Sequence, residues 1–102
     1  MRIITESFLI EAARRYPKAA KYLEAWRAVT RQADWSNLTK VRQTYASADA
    51  VTLGSGRTVV VFNVCGNDYR LIVALHYNRQ IAYTLRFLTH AEYSKNRWKD
   101  EL

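Results

Sequence analysis

The sequence predicts an α+β fold in one domain of 102 residues, with helices first and a small antiparallel sheet after them. Two observations predict it. Apolar residues recur every three or four positions in the first half of the chain, and three β-branched, aromatic segments separated by short turns follow. No linker or repeat interrupts the chain, so residues 1–102 are expected to form a single domain with a short C-terminal helix or tail.

The first half predicts a helical hairpin. Thr5 is the expected N-cap of the first helix, and Pro17 ends that helix and suits the first turn of the second. A short third helix is expected after a cap at Ser36. The apolar positions that define the buried faces of the first two helices are Phe8, Leu9, Ala12, Ala13, Tyr16, Ala19, Tyr22, Leu23, Trp26 and Val29.

The second half predicts a three-stranded antiparallel meander, from the segments TVVVFNV, YRLIVALHY and IAYTLRFL. The short segments CGND and NRQ between them suit hairpin turns. A fourth strand is possible around Asp49–Leu53. Both faces of these strands are largely apolar, so one face is expected to pack on the helical hairpin. The other face then requires cover from the C-terminal segment or from a partner.

The charge of the chain favours a polyanionic partner. Sixteen Lys and Arg against nine Asp and Glu give a net charge of +7 and a pI near 9.9. Nucleic acid or an acidic protein fits this charge, although a solvated basic surface explains it equally well. No apolar run approaches the ~18–20 residues of a membrane span. The single cysteine, Cys65, excludes an internal disulfide, so a reducing cytoplasm is the expected location.

Three polar residues near the end of the sheet are the candidates for chemistry. Strand alternation places Arg70 on one face of the middle strand, and it is expected to place Ala82, Thr84, Arg86, Leu88 and then His90 on one face of the next strand. If these faces coincide, a guanidinium fork suited to phosphate lies beside an imidazole able to move a proton, with Tyr93 close by to stack on a base.

Each of these residues also has an ordinary structural interpretation. Arg70 would pair with a surface acid, His90 would cap or hydrogen-bond at a strand end, and Tyr93 would serve packing. Spacing alone does not choose between the two sets of roles.

Metal, thiol and nucleotide-cofactor chemistry lack support in the sequence. The chain has no CxxC, no HxxxH, and no glycine-rich phosphate loop. Cys65 lies in an expected turn without an activating neighbour. We therefore predict no metal site and no cofactor.

The ordered motifs of the second half resemble the HigB branch of bacterial type II toxins, which shares the RelE-like fold. The motifs that carry the resemblance are FN-x-x-GN-x-YRL, from Phe62 to Leu71, and LTHAEY, from Leu88 to Tyr93. The segments ARRYPKA and DWSNL match the layout of the first half, so the resemblance covers nearly the whole chain. It implies an mRNA interferase that cuts translated messages in the ribosomal A site by 2′-hydroxyl attack, without a metal. The implied partner is a HigA-type helix-turn-helix antitoxin.

The resemblance also implies roles for individual residues. Arg70 matches the strand arginine that contacts the scissile phosphate, His90 falls where relatives carry a basic residue, and Tyr93 matches the aromatic residue that follows. RelE relatives often carry lysines on the strand before the turn, where this chain has Val61 and Asn63. Charge stabilisation then falls to Arg70 with help from Arg57 or Arg86, and proton transfer falls to His90. The predicted RNA-contacting residues around them are Arg57, Asn63, Arg86 and Lys95.

Two other functions fit the same sequence less well. One is an RNA- or antitoxin-binding module of the same fold with weak or lost catalysis. The other is inhibition of DNA gyrase, as in the related ParE branch, which the pairing of His90 with Tyr93 disfavours. Mapping of cuts in translated mRNA separates the first from a nuclease, and plasmid supercoiling tests the second.

Overall fold

The computed structural model describes all 102 residues and confirms the α+β class. Its strands are β1 (Arg2–Ile4), β2 (Asp49–Thr52), β3 (Thr58–Val64), β4 (Tyr69–His76) and β5 (Ile81–Thr89). Its helices are α1 (Glu6–Arg15), α2 (Ala20–Gln32), α3 (Leu38–Thr44), α4 (His90–Ser94) and α5 (Arg97–Glu101). No helix is long and apolar enough to cross a membrane.

The sheet has five strands in the order β1-β5-β4-β3-β2, and four of them form the expected antiparallel arrangement. The possible strand near Asp49–Leu53 is confirmed as β2. The expectation of a purely antiparallel sheet is wrong, because β1 adds to the edge of β5 in parallel, with Ile3 opposite Ala82. A strand of three residues has no readable alternation, and its partner lies almost 80 positions away in the chain.

The helical hairpin forms as expected and covers one face of the sheet. Helix α1 ends at Arg15, and Pro17 opens a 3-10 turn that leads into α2. The cap of α3 is Asn37 rather than Ser36: the Asn37 side chain accepts a hydrogen bond from the backbone N–H of Lys40. This one-residue difference arises because the amide oxygen of Asn37 reaches the free N–H groups of the first turn.

The main core lies between the hairpin and the sheet. It contains 16 buried residues, of which Trp26 and Phe62 are the largest fully enclosed ones. Their rings meet edge to face with centroids 5.5 Å apart. Trp35 also belongs to this core and is 4% exposed.

The opposite face of the sheet carries a second, smaller core. Five buried residues form it: Leu53, Val59, Val61, Ile72 and Trp98. Trp98 comes from α5, so the C-terminal helices supply the cover that the apolar strands require. We call this side of the sheet the C-terminal face and the other side the helical face.

A β-bulge in β5 changes which residues share a face. Ile72 pairs with Arg86, but the next residue of β4, Val73, pairs with Thr84, so Leu85 is the extra residue. Ala82 therefore packs in the main core while Leu88 packs against the C-terminal core. The prediction that Ala82, Thr84, Arg86 and Leu88 share one face is wrong, because one inserted residue shifts strand alternation by one position.

Candidate functional site

The candidate site lies on the C-terminal face where β4 begins. Arg70 is the second residue of β4 and pairs in register with Asn63 of β3 on one side and Leu88 of β5 on the other. These three side chains form one row across the sheet, because directly opposite residues of antiparallel strands share a face. Arg70 is only 8% exposed, which is rare for an arginine.

The guanidinium of Arg70 is held by neutral groups. Its Nη1 donates to the carbonyl oxygen of Tyr69 at 3.0 Å, and its Nη2 donates to Oδ1 of Asn67 at 3.1 Å. No carboxylate lies within ion-pair distance of Arg70. The structural interpretation in which Arg70 pairs with a surface acid is therefore wrong. A buried cation without a partner charge is costly, which makes Arg70 a candidate contact for a ligand of opposite charge.

Tyr93 covers Arg70 from above. The guanidinium carbon of Arg70 lies 5.3 Å from the centroid of the Tyr93 ring, within the range of a cation–π contact. The ring of Tyr93 in turn stacks on Trp98, with centroids 5.3 Å apart and planes inclined by 19°. Trp98 fixes this arrangement further, because its Nε1–H donates to the carbonyl oxygen of Tyr93 at 3.1 Å.

Sequence reasoning did not identify Asn67 and Trp98 as residues of the candidate site. The motif that includes GN contained Asn67, but only the folded turn shows that its side chain accepts from Arg70. Trp98 is the last aromatic residue of the chain and lies in the segment expected to cover the apolar sheet face. That signal existed, although nothing in the spacing linked Trp98 to Tyr93.

His90 begins α4 immediately after β5 ends. Thr89 is the N-cap of α4 and forms a capping box with Glu92, in which each side chain accepts from the other residue's backbone N–H. The backbone N–H of His90 donates to the carbonyl oxygen of Asp68 at 2.9 Å. The imidazole of His90 is exposed and forms no hydrogen bond, so Thr89 and not His90 is the capping residue.

The turn that carries Asn67 is anchored to the helical hairpin. The carboxylate of Asp68 pairs with the ammonium of Lys18, and this hydrogen bond raises the pKa of Lys18 above its usual value. The thiol of Cys65 also donates to the carbonyl oxygen of Lys18, at 3.5 Å. The same short turn therefore contacts Lys18, the guanidinium of Arg70 and the backbone of His90.

The predicted RNA-contacting residues lie at different distances from this centre. Asn63 is half-buried in the same row as Arg70. Arg86 lies one row further along; its guanidinium donates to the carbonyl oxygen of Leu85 at 2.8 Å and lies 3.8 Å from Glu101. Lys95 is exposed at the end of α4. Arg57 precedes β3 at its opposite end, about 20 Å along the strand from the Arg70 row.

This constellation brings a cation, an imidazole and a phenol to one end of the sheet. A fixed guanidinium stabilises negative charge on phosphate oxygens, while imidazole and phenol groups accept or donate protons. No three His, Cys, Asp or Glu side chains lie together as a possible metal-ligand cluster. A guanidinium, an imidazole and a phenol are groups that can act on a phosphodiester.

The fold and this site define the chain as a RelE-like α+β protein. A family model described as HigB_toxin, the RelE-like toxic component of a toxin-antitoxin system, matches residues 19–96. The chain belongs to this family, and it is a toxin of a toxin-antitoxin system. An antitoxin partner is implied by that membership. No curated protein matches the chain.

Proposed function

We propose that this toxin is an endoribonuclease that cuts mRNA during translation. The observation that carries the proposal is the buried guanidinium of Arg70, which has only neutral protein partners. A scissile phosphate is a ligand whose negative charge and neighbouring pair of oxygen atoms match the free donors of that fork. The net charge of +7 supports the same class of ligand, because a polyanionic substrate is attracted to a basic surface before any specific contact forms.

The reaction is transesterification at phosphorus. The 2′-hydroxyl oxygen forms a new bond to the adjacent phosphorus atom, and the bond from phosphorus to the 5′-oxygen of the next nucleotide breaks. One group removes the proton of the 2′-hydroxyl and another protonates the leaving 5′-oxygen, so the products are a 2′,3′-cyclic phosphate and a 5′-hydroxyl. Arg70 stabilises the charge that develops on the phosphate oxygens.

His90 and Tyr93 are the proposed partners of Arg70 in this step. His90 presents an exposed imidazole that forms no internal hydrogen bond, and an imidazole can accept or donate a proton. Tyr93 contacts the guanidinium directly, stacks on Trp98 and supplies a phenol for proton transfer. Asn63, Arg86 and Lys95 surround this centre as contacts to the RNA backbone, and Arg57 serves a more distant nucleotide.

The cellular setting completes the proposal. We place the toxin in the cytoplasm, acting on mRNA in the A site of the small ribosomal subunit, with a HigA-type helix-turn-helix antitoxin as its inhibitor. Dependence on the ribosome means that failure to cut free RNA does not count against this function. An RNA- or antitoxin-binding module without catalysis predicts growth arrest without cuts in the message.

The test compares induced wild type with Arg70→Ala, His90→Ala and the double variant. His76→Ala is the matched control, because His76 is the only other histidine and is exposed at the far end of β4. Growth and the 5′ ends of translated mRNA are measured shortly after induction. We expect position-specific cuts with wild type and His76→Ala, and loss of cuts and of growth arrest with the other three.

Two results contradict the proposal. A folded double variant that arrests growth as strongly as wild type removes Arg70 and His90 from the mechanism. Growth arrest by wild type with intact mRNA and altered plasmid supercoiling assigns the toxin to gyrase inhibition instead.

A further inference from the structure

A groove outside the candidate site runs between α1 and the outer edge of β5. It has a volume of about 210 Å³ and is open to solvent. Apolar and aromatic side chains form its floor, and two arginines also line it. These residues are Phe8, Ala12, Arg15, Tyr16, Arg86 and Phe87. None of these residues except Arg86 has a role in the site described above.

The groove exists because β1 is much shorter than β5. The last residue of β1, Ile4, pairs with Tyr83, and the chain then turns into α1. The remainder of β5 up to Thr89 has no strand on that side. The side of β5 next to α1 is therefore left open along the half of the strand that leads to His90.

The floor of the groove belongs to a cluster of three aromatic rings. Tyr16 lies 5.2 Å from Tyr69 and 5.6 Å from Phe87, measured between ring centroids, and Phe87 stacks on Tyr69 at 5.3 Å. All three side chains are only partly buried. Partly exposed aromatic rings at a groove are the surfaces on which single-stranded bases stack.

Arg15 gives the groove its charge. Its guanidinium carbon lies 5.4 Å from the centroid of Tyr16, and Arg15 is exposed and forms no ion pair. The one acid at the groove, Glu11, is already paired with Arg14 at 3.5 Å. An unpaired guanidinium over an aromatic ring offers both a plane for stacking and donors for a phosphate.

The groove and the candidate site meet at the outer edge of β5. Arg86 lines the groove and lies on the C-terminal face, one row of paired residues from Arg70, whereas Tyr16 and Phe87 at the groove floor lie on the helical face. Because β5 is the edge strand here, an RNA strand with one phosphate at Arg70 would pass around β5 beside Arg86 and reach the groove with a neighbouring nucleotide. Arg86 is 3.8 Å from Glu101, so Arg15 supplies the uncompensated positive charge of this path, and the regular phosphates of RNA match such a charge better than a protein segment does.

We propose that this groove binds a nucleotide of single-stranded RNA that flanks the cleaved bond. The base stacks against Arg15 and the aromatic rings, and the backbone phosphate contacts Arg15 and Arg86. This inference rests on the proposed function, because it assigns part of the same substrate to a second subsite.

The test measures binding of a short fluorescently labelled single-stranded RNA at low salt. The His90→Ala protein is used throughout to prevent cleavage, and Arg15→Ala is added to it. Arg79→Ala is the matched control, because Arg79 is an exposed arginine in the turn at the opposite end of β5. We expect Arg15→Ala to weaken binding about 3- to 10-fold and to lower the salt slope by about 0.7, while Arg79→Ala changes binding less than twofold.

A second measurement places the base. RNA that carries 5-iodouridine is photocrosslinked to the same His90→Ala protein, and we expect crosslinks to Tyr16, Phe8 or Phe87. Absence of RNA binding, equal binding by the Arg15→Ala and Arg79→Ala proteins, or crosslinks confined to other surfaces would overturn the inference. So would a loss of affinity for the antitoxin, rather than for RNA, on changing Arg15.

The two proposals fail in different ways. RNA binding that depends on Arg15, together with intact mRNA after induction of wild type, supports the proposed groove and contradicts the proposed nuclease activity. Cuts that depend on Arg70 and His90, together with RNA binding that does not depend on Arg15, support the proposed nuclease activity and contradict the proposed groove.

Discussion

The two faces of the sheet are built differently. The helical face is covered by two long helices over a core of 16 buried residues, and its large rings are fully enclosed. The C-terminal face is covered by two helices of five residues each, over five buried residues. The only buried charged side chain in the molecule, Arg70, lies on this second face.

This difference separates stability from chemistry. Burial of apolar area stabilises a fold in proportion to the area removed from water, so the helical face carries most of the stability. The thin C-terminal layer has less apolar area to hold it in place and leaves His90 exposed at its rim. A cover of this kind is expected to open at lower free energy than the main core.

The largest loss of stability is expected from a substitution in the main core under the helical face. Phe62→Ala removes a ring that is 1% exposed and contacts Trp26 and Tyr45. We expect a loss of about 3–5 kcal/mol in the free energy of unfolding, measured by urea denaturation, because the cavity remains unfilled. Leu88→Ala, at a half-buried position on the C-terminal face, should lower the free energy of unfolding by less than half as much. Equal losses would contradict the distinction between the faces.

The next largest loss of stability is expected from a substitution on the C-terminal face. Trp98→Ala removes the ring that stacks on Tyr93. The loss in free energy of unfolding should fall below roughly 3–5 kcal/mol, because Trp98 packs in a core of only five buried residues. Hydrogen exchange should show faster exchange in α4 and α5 with little change in α1 and α2. Trp98→Phe keeps a stacked ring and should retain most of the protection. Cooperative unfolding of the whole chain by Trp98→Ala would contradict a separable cover.

A smaller effect, on mRNA cleavage, is expected when only the orientation of the Arg70 guanidinium is disturbed. Asn67→Ala deletes the side-chain acceptor for Nη2 of Arg70. A hydrogen bond to a charged group contributes about 1.5–3 kcal/mol, so we expect roughly tenfold or greater loss of mRNA cleavage. Asn78→Ala, in the turn at the other end of β4, is the control and should cleave normally. Normal cleavage by a folded Asn67→Ala protein would show that this hydrogen bond does not position Arg70.

The smallest effect is expected at the rim of the helical face. Burial by itself raises the pKa of Glu6, but hydrogen bonds and charge from Arg31 and Arg27 outweigh it and hold the pKa below its usual value. A lowered pKa in the folded state stabilises the protein above the ordinary carboxylate pKa, and this contribution is lost as pH falls through the folded value.

Glu6→Gln should therefore cost about 0.5 kcal/mol at pH 7, since the pair is partly exposed. The difference from wild type should shrink below the reference pKa of 4.5. Paired urea denaturation curves at neutral and acidic pH measure it. A difference that is unchanged at acidic pH would mean that the charge of Glu6 is not its cause.

Local patterns predicted most of the fold because most of it is encoded locally. The helices follow from apolar spacing and from Pro17, and the three long strands follow from β-branched runs between short turns. Strand β1 could not be predicted this way, because three residues carry no period and its partner is remote in sequence.

The candidate site was partly predictable for a similar reason. Strand alternation put Arg70 on a defined face, and the ordered motifs drew attention to His90 and Tyr93. The stacking of Tyr93 on Trp98 and the burial of Arg70 beneath it depend on how α5 returns over the sheet. No spacing within the sequence encodes that return.

The extra residue at Leu85 bears on how the gene can change. Because it shifts the alternation of β5, the strand turns Ala82 toward the main core and still turns Leu88 toward Arg70. Loss of that single codon would leave every other amino acid intact and yet reverse the orientation of one half of the strand relative to the other. Deletion of residue 85 is therefore expected to disturb the fold more than a substitution there.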